Sequence, residues 1–259
     1  MAIEPQKLRE AQLIMLEMLV EFDAICTKHE LIYWLDSGTL LGAVRHQGFI
    51  PWDDDIDLSM PLEDYQRFQS LAQNTLSSHI FFQNLQSDSQ VPIDYMKLRS
   101  NKASIVEFHE KGKEVSYHQG VFVDIFPMLE VPNTIFMKNY YTSTLKLIRF
   151  FSEKNLHIQR SIPSRPLRKF LSKTLRCFHS ASKEKNSRVI YGGEMPDVAS
   201  WFDKNEIYPL KKLSFEGLEF PVPQNPDHYL NATYSFDYRQ IPPPEMRVIH
   251  ADEVVIKRC

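Results

Sequence analysis

Cysteine is scarce in this chain. The three that occur, Cys26, Cys177 and Cys259, are far apart, odd in number and without any zinc-type spacing. That excludes a disulfide framework and points to free thiols in a reducing compartment, so the sequon Asn231-Ala232-Thr233 is read as incidental. Long hydrophobic runs are missing too. No window approaches ~18 uncharged apolar residues, so no membrane-spanning helix is expected. The opening stretch MAIEPQKLREAQ is polar and charged rather than an apolar leader, and a cytoplasmic protein is the expectation. Repeats and low-complexity tracts are absent. What remains is an ordinary globular composition, 43% hydrophobic and 24% charged over 259 residues. It fits one large domain, or a domain with an appended helical lobe.

The net charge of −3 conceals an imbalance. Between Lys146 and Arg188 stand twelve Lys/Arg against two acids, a local charge of +10, which leaves −13 for the remainder. One surface is therefore expected to meet something anionic. Apolar residues (Leu147, Ile148, Phe150, Phe151, Phe170, Leu171, Leu175, Phe178) interleave with the cations, as on an interfacial helix. A solvated helical lobe would share that pattern, and no nucleic-acid recognition module is present.

The opposite charge gathers at Asp53, Asp54, Asp55 and Asp57, four aspartates in five positions. Such crowding is unfavourable unless a cation neutralises it. On a strand, Asp55 and Asp57 would project from one face while Ile56 and Leu58 enter a core. Hard oxygen ligands so placed suit Mg²⁺ or Mn²⁺. The stretch lacks the alternation and central glycine of an EF-hand loop. Upstream, an apolar run from Leu31 to Leu35 breaks at Asp36-Ser37-Gly38-Thr39 before a helical stretch to Val44. A strand that turns into a helix N-terminus offers N–H groups and a hydroxyl to phosphate, although taken alone the pattern favours Ser37 as a simple helix cap. Downstream, Tyr95 to Arg99 places Lys97 and Arg99 on one strand face, either to grip phosphate or to meet solvent. The run Gly120 to Pro127 is almost wholly apolar, as a central strand should be, yet holds Asp124 in its middle. A buried aspartate needs a cation or a dense set of hydrogen bonds, so Asp124 is expected beside Asp55 and Asp57.

Helices are expected over 5–29, 39–44, 62–74, 135–151, 166–179 and 226–234 from their apolar spacing. Strands are expected over 54–60, 80–84, 95–99, 103–106 and 120–127, with a hairpin at Glu216-Gly217. The chain divides into 1–132, 133–200 (basic and helical) and 201–259.

Taken together, these residues resemble the LicD family, the phosphocholine-transferase group that includes the fukutin-related proteins. The resemblance is carried by Asp36-Ser37-Gly38-Thr39-Leu40-Leu41-Gly42-Ala43-Val44-Arg45-His46 and by Gly48-Phe49-Ile50-Pro51-Trp52-Asp53-Asp54-Asp55-Ile56-Asp57-Leu58. Lys97-Leu98-Arg99, Gly120 to Pro127, Asp237-Tyr238, Pro242-Pro243-Pro244, Arg247 and His250 extend it. It implies an α+β, nucleotidyltransferase-like (polymerase β-type) mixed sheet with packed helices, here carrying an added basic helical segment. It also implies a metal-dependent transferase that moves phosphocholine, or another polyol phosphate such as ribitol phosphate, from a CDP-linked donor. The acceptor would be a sugar hydroxyl of a glycan, such as lipopolysaccharide or teichoic acid, or of its lipid-linked precursor. Nucleic acid would not be a partner.

In that scheme Asp55, Asp57 and Asp124 hold Mg²⁺ (or Mn²⁺), with Asp124 alternatively the base for the acceptor hydroxyl. Gly38 and Thr39 cradle phosphate, while Arg45, Lys97 and Arg99 neutralise it. Trp52 is the candidate for a choline cage, and Arg247 and His250 close the site. Residues 201–259 would complete the site of a catalytic core in 1–132. True nucleotidyl transfer from an NTP and a non-catalytic metal-binding module are the competing readings. The basic segment is expected to touch the anionic inner membrane face.

Overall fold

Apolar side chains recur every three or four positions after Pro5, and the result is helix α1 (Pro5–Lys28). Pro5 occupies its first turn, where a missing N–H does no harm. Leu8, Met15, Leu19, Phe22 and Cys26 form its buried face. The computed structural model describes residues 3–153, 164–181, 187–192, 201–234, 236–247 and 249–257. After α1 come strand β1 (Trp34–Leu35), helix α2 (Ser37–His46), strand β2 (Ile56–Pro61), helix α3 (Leu62–Thr75) and strands β3 (Ile80–Gln83), β4 (Met96–Glu107) and β5 (Gly120–Pro132). Helices α4 (Ile135–Glu153) and α5 (Ser164–Ala181) follow, then β6 (Ser187–Tyr191), β7 (Phe202–Asp203) and the short α6 (Lys204–Ile207). The chain ends with a hairpin of β8 (Lys211–Phe215) and β9 (Leu218–Val222), helix α7 (Pro226–Thr233) and strand β10 (Ala251–Ile256).

Among the described residues the core is an eight-stranded mixed sheet ordered β1-β2-β5-β4-β10, with β3 joined to β4, and β6 and β7 continuing from β5. Only the β2–β5 pair is parallel. β5 is central, which explains a sequence apolar but for Asp124 across its first ten positions: every residue from Gly120 to Leu129 is buried. α1 lies against β4, β5 and β10. A second apolar cluster, in which Met137, Tyr141 and Leu145 of α4 meet Leu171 and Leu175 of α5, covers the β5–β6 end. The fold is α+β, with seven α-helices among the described residues, consistent with the nucleotidyltransferase-like expectation.

Some boundaries differ from the sequence expectation. The strands expected at 95–99 and 103–106 are one long strand, β4, whose pairing with β5 shifts between Arg99 and Ser104. The acidic strand begins at Ile56 instead of Asp54, because Asp53 to Asp55 turn away before pairing begins. Of the basic segment, 154–163 and 182–186 lie outside the described residues, and with them Lys154, Arg160, Lys183 and Lys185.

Gly42 marks the tightest joint. A Cβ there would run into the Gly48 carbonyl oxygen and lie 3.3 Å from the Ile50 nitrogen. Gly42→Ala is expected to cost about 1–3 kcal/mol through overpacking, lowering Tm by several degrees in calorimetry. An unchanged Tm would mean that the 48–50 loop can move aside.

Candidate active site

The strand-to-helix turn at Asp36 organises the site. Asp36 is fully buried, and its carboxylate accepts hydrogen bonds from the Ser37 N–H (2.7 Å), the Tyr191 hydroxyl (2.6 Å) and the Ser59 hydroxyl. Tyr191 in turn lies 3.5 Å from the Tyr229 hydroxyl, which accepts from Trp34 Nε1 at 3.3 Å. Burial pushes the Asp36 carboxyl above its ordinary range, opposed by those donors. Ser37 opens α2 with φ of 43°, a left-handed geometry costly for a non-glycine residue. The same turn grips Asp57 from both ends. The Asp36 N–H donates to the Asp57 carbonyl at 3.0 Å, and the Asp57 N–H donates to Thr39 Oγ1 at 2.8 Å. Asp36 therefore supports the position of Asp57 instead of meeting solvent. Removing one donor tests this: Tyr191→Phe should destabilise by about 1–3 kcal/mol, the usual cost of an unsatisfied buried acceptor. Chemical denaturation would show it as a fall in midpoint at constant slope, and no change would remove the network's assigned role.

The parallel register sets Asp57 directly beside Asp124. Asp55 precedes β2 and is partly exposed. Burial, reinforced by Asp54 and then Asp124, pushes the Asp55 carboxyl up to about 7. Burial, then repulsion from Asp55 and Asp124, also raises Asp57 well above the carboxylate range. Across the antiparallel β4–β5 ladder Lys97 faces Asp124. Its Nζ lies 2.8 Å from Asp124 Oδ1 and 3.0 Å from Oδ2, and the Tyr95 hydroxyl donates to Oδ2 at 3.2 Å. The ammonium also sits 3.4 Å from the centre of the Phe122 ring, a cation–π contact.

Asp54 works differently. It is buried, and its Oδ2 accepts from the backbone N–H groups of His250 (2.9 Å) and Ala251 at the start of β10. Its Oδ1 has no hydrogen-bond partner among the described residues, and the His250 Nδ1 lies 3.5 Å away. Asp54, with Asp55 assisting, pushes the exposed His250 imidazole up to about 9 against the effect of burial. Ligand atoms of Asp54, Asp55 and His250 lie within 4.8 Å of one another. Two carboxylates and an imidazole at that spacing, with one buried oxygen unpartnered, fit a divalent cation, for which a proton on His250 would compete.

A family model described as "LicD/FKTN/FKRP, nucleotidyltransferase domain" matches residues 30–167. The lipopolysaccharide cholinephosphotransferase LicD of Haemophilus influenzae is 30% identical, over 94% of this chain and 95% of that protein. The chain belongs to the LicD family. Shorter stretches match other proteins. The ribitol 5-phosphate transferase FKRP of Homo sapiens is 54% identical over 39 residues, 15% of this chain and 8% of that protein. An uncharacterised protein of Rickettsia typhi is 47% identical over 55 residues, 21% of this chain and 18% of that protein.

Seen as a LicD-family site, the arrangement departs from the sequence expectation in several places. The converging trio among the described residues is Asp54, Asp55 and His250, whereas Asp57 and Asp124 stand side by side with Asp124 already paired to Lys97. Lys97 and Arg99 share a strand face as expected, but that face is buried. Arg99 donates to Gln83 Oε1 and the Gly120 carbonyl, both at 2.8 Å, which directs it into the sheet and away from solvent. Thr39 is buried with its hydroxyl on Asp57, and a Cβ on Gly38 would sit 3.0 Å from Asp53 Oδ2, so that turn shapes the carboxylates. Arg45 donates to the carbonyls of Tyr238 (2.8 Å) and Gln240 (3.2 Å), pinning the segment that precedes Pro242. Arg247 stacks over Trp52 with 4.2 Å to the ring centre, occupying one face of that indole.

Sequence reasoning missed the hydrogen bonds from Tyr95 to Asp124 and from Tyr191 to Asp36, as well as Tyr234. Tyr234 faces the cluster closely enough that Asp57 and Asp53, after burial, raise its phenol above the usual range. No sequence signal distinguishes these from core tyrosines. Asp54 was visible, but its work depends on N–H groups almost two hundred residues away.

Proposed function

We propose that this protein transfers phosphocholine from a CDP-linked donor to a sugar hydroxyl of a cell-surface glycan or its lipid-linked precursor, with a divalent cation, Mg²⁺ or Mn²⁺. The coarser activity, transfer of a phosphoryl-alcohol unit, follows from family membership. The observation that carries the finer reading is the end-to-end similarity to the Haemophilus cholinephosphotransferase.

The carboxylates at 54, 55, 57 and 124 supply the anionic ligand field, with His250 at its rim. When bound, the cation would offset charge on the donor phosphates and on the departing CMP. Lys97 and Tyr95 keep Asp124 oriented, so that it can ligate or accept the acceptor's proton. Asp36 and Thr39 fix the Asp57 backbone, and with it the carboxylate's starting position. Arg247, half-buried over Trp52, is the cation placed to meet the donor diphosphate, His250 being neutral when it ligates. Tyr234 and Trp52 supply aromatic surface for a quaternary ammonium. An acceptor carried on a lipid would have to be met at a membrane face.

Thermal-shift measurements with Mg²⁺ and a panel of CDP-choline, CDP-ribitol and CTP test the donor, because a ligand that binds the native state raises Tm. CDP-choline should give the largest shift. A larger shift with CDP-ribitol would transfer the reading to ribitol phosphate, which the local similarity to FKRP favours as the second choice. A shift with CTP alone would replace it by nucleotidyl transfer.

A further inference from the structure

Helix α5 carries five Lys/Arg and no acidic residue in its eighteen positions. Its inner face is settled: Leu171 and Leu175 are fully buried, and His179 Nε2–H donates to Glu63 Oε1 (2.8 Å) while Nδ1 accepts from the Glu130 N–H (2.8 Å). The outer face holds Pro166, Lys169, Phe170, Lys173 and Cys177, all exposed. At 3.6 residues per turn these five fall within an arc of about 100°. Phe170, 61% exposed, lies at one edge of that arc with both lysines to the same side of it. An aromatic ring and two ammonium groups on one exposed helix face together suit a partner that is both apolar and anionic. Beside the stripe is a surface pocket of about 480 Å³, lined by Lys169, Ser172, Lys173, Arg176 and Cys177 of α5 together with Leu85 and Asp94.

We propose that this face of α5 docks on an anionic phospholipid surface, with Phe170 entering the headgroup boundary, Lys169 and Lys173 on lipid phosphates, and one headgroup phosphate in the adjoining pocket. Charge complementarity selects the occupant. A second copy would bring two like-charged faces together, and a neutral bilayer would leave the lysines without partners. A helix face that joins exposed apolar side chains to Lys is the form that lies in a membrane interface. Neighbouring α4 adds exposed Ile135, Phe136 and Leu147 with exposed Lys138 and Lys146 to the same two-helix layer. The inference rests on surface chemistry alone and not on the transferase reading.

The test is sedimentation of the full chain with vesicles of phosphatidylglycerol in phosphatidylcholine, against phosphatidylcholine alone, without substrate. Binding should require the anionic lipid. Lys169→Ala with Lys173→Ala should weaken it about 25-fold, roughly fivefold per lysine near a charged surface, with an unchanged Tm. An environment-sensitive dye on the exposed Cys177, in a Cys259→Ser background, should shift to the blue on anionic vesicles, Cys26 being buried. Equal binding to neutral vesicles, undiminished binding by the double variant, or binding to RNA but not to vesicles would overturn the proposal.

Discussion

Replacing Asp57 with Asn should reduce transfer by about a thousandfold or more while leaving the metal-free protein as stable or more so. A cation clamp on a transferring phosphoryl group contributes several kcal/mol to the transition state, and about 4 kcal/mol corresponds to that factor. The stability half of the prediction comes from the crowding. Asp57 is raised by burial first, then by Asp55, Asp124, Asp36 and Asp53, so in the absence of metal its charge is a liability. Asparagine keeps the shape and the backbone bonds to Asp36 and Thr39, and removes the repulsion. Loss of activity with a Tm that holds or rises distinguishes a ligand from a structural residue. A fall in both would reassign Asp57 to the scaffold.

The second large effect is on stability against pH. Asp55 titrates near 7 in the folded protein against 3.8 ordinarily. Between those values the folded state retains a proton that the unfolded chain has released, so stability falls as pH rises through that window. The contribution is complete below about pH 4 and lost above about pH 7, on the order of 2–4 kcal/mol after allowance for partial exposure. Carboxylates in their ordinary range titrate at the acid end, so the interval to read is pH 5.5 to 8, where the raised Asp57 and His250 add to the same decline. There Tm of metal-free protein should decline by several degrees. Saturating Mg²⁺ should flatten the decline and raise Tm, the added stability being about 2.7 kcal/mol at a hundred times Kd. A flat profile without metal, or no response to Mg²⁺ at matched ionic strength, would contradict the proposed liganding.

Much of this was legible because the informative residues act locally. The turn Asp36-Ser37-Gly38-Thr39, the apolar run with Asp124 in its middle and the stripe of α1 each declare their structure through spacing. The pairing of Asp57 with Asp124 was also legible, since a lone charge in a central strand has few places to go. Long-range obligations were not. Asp54 looked like one charge among four until β10 supplied its N–H groups, and β10 itself, half-exposed at the sheet edge, alternates too weakly to stand out. Lys97 and Arg99 read as either a phosphate grip or a solvent-facing pair because alternation reports a face without saying what covers it. Both faces of β4 are covered there, and the cations answer Asp124, Gln83 and Gly120 instead.

The most direct test of the central claim is product analysis after incubation with CDP-choline, a glycan acceptor and Mg²⁺. The account predicts CMP and phosphocholine-modified acceptor in equal amounts, absent after chelation or with Asp57→Asn. Pyrophosphate release from CTP, with no CMP from CDP-choline, would contradict it.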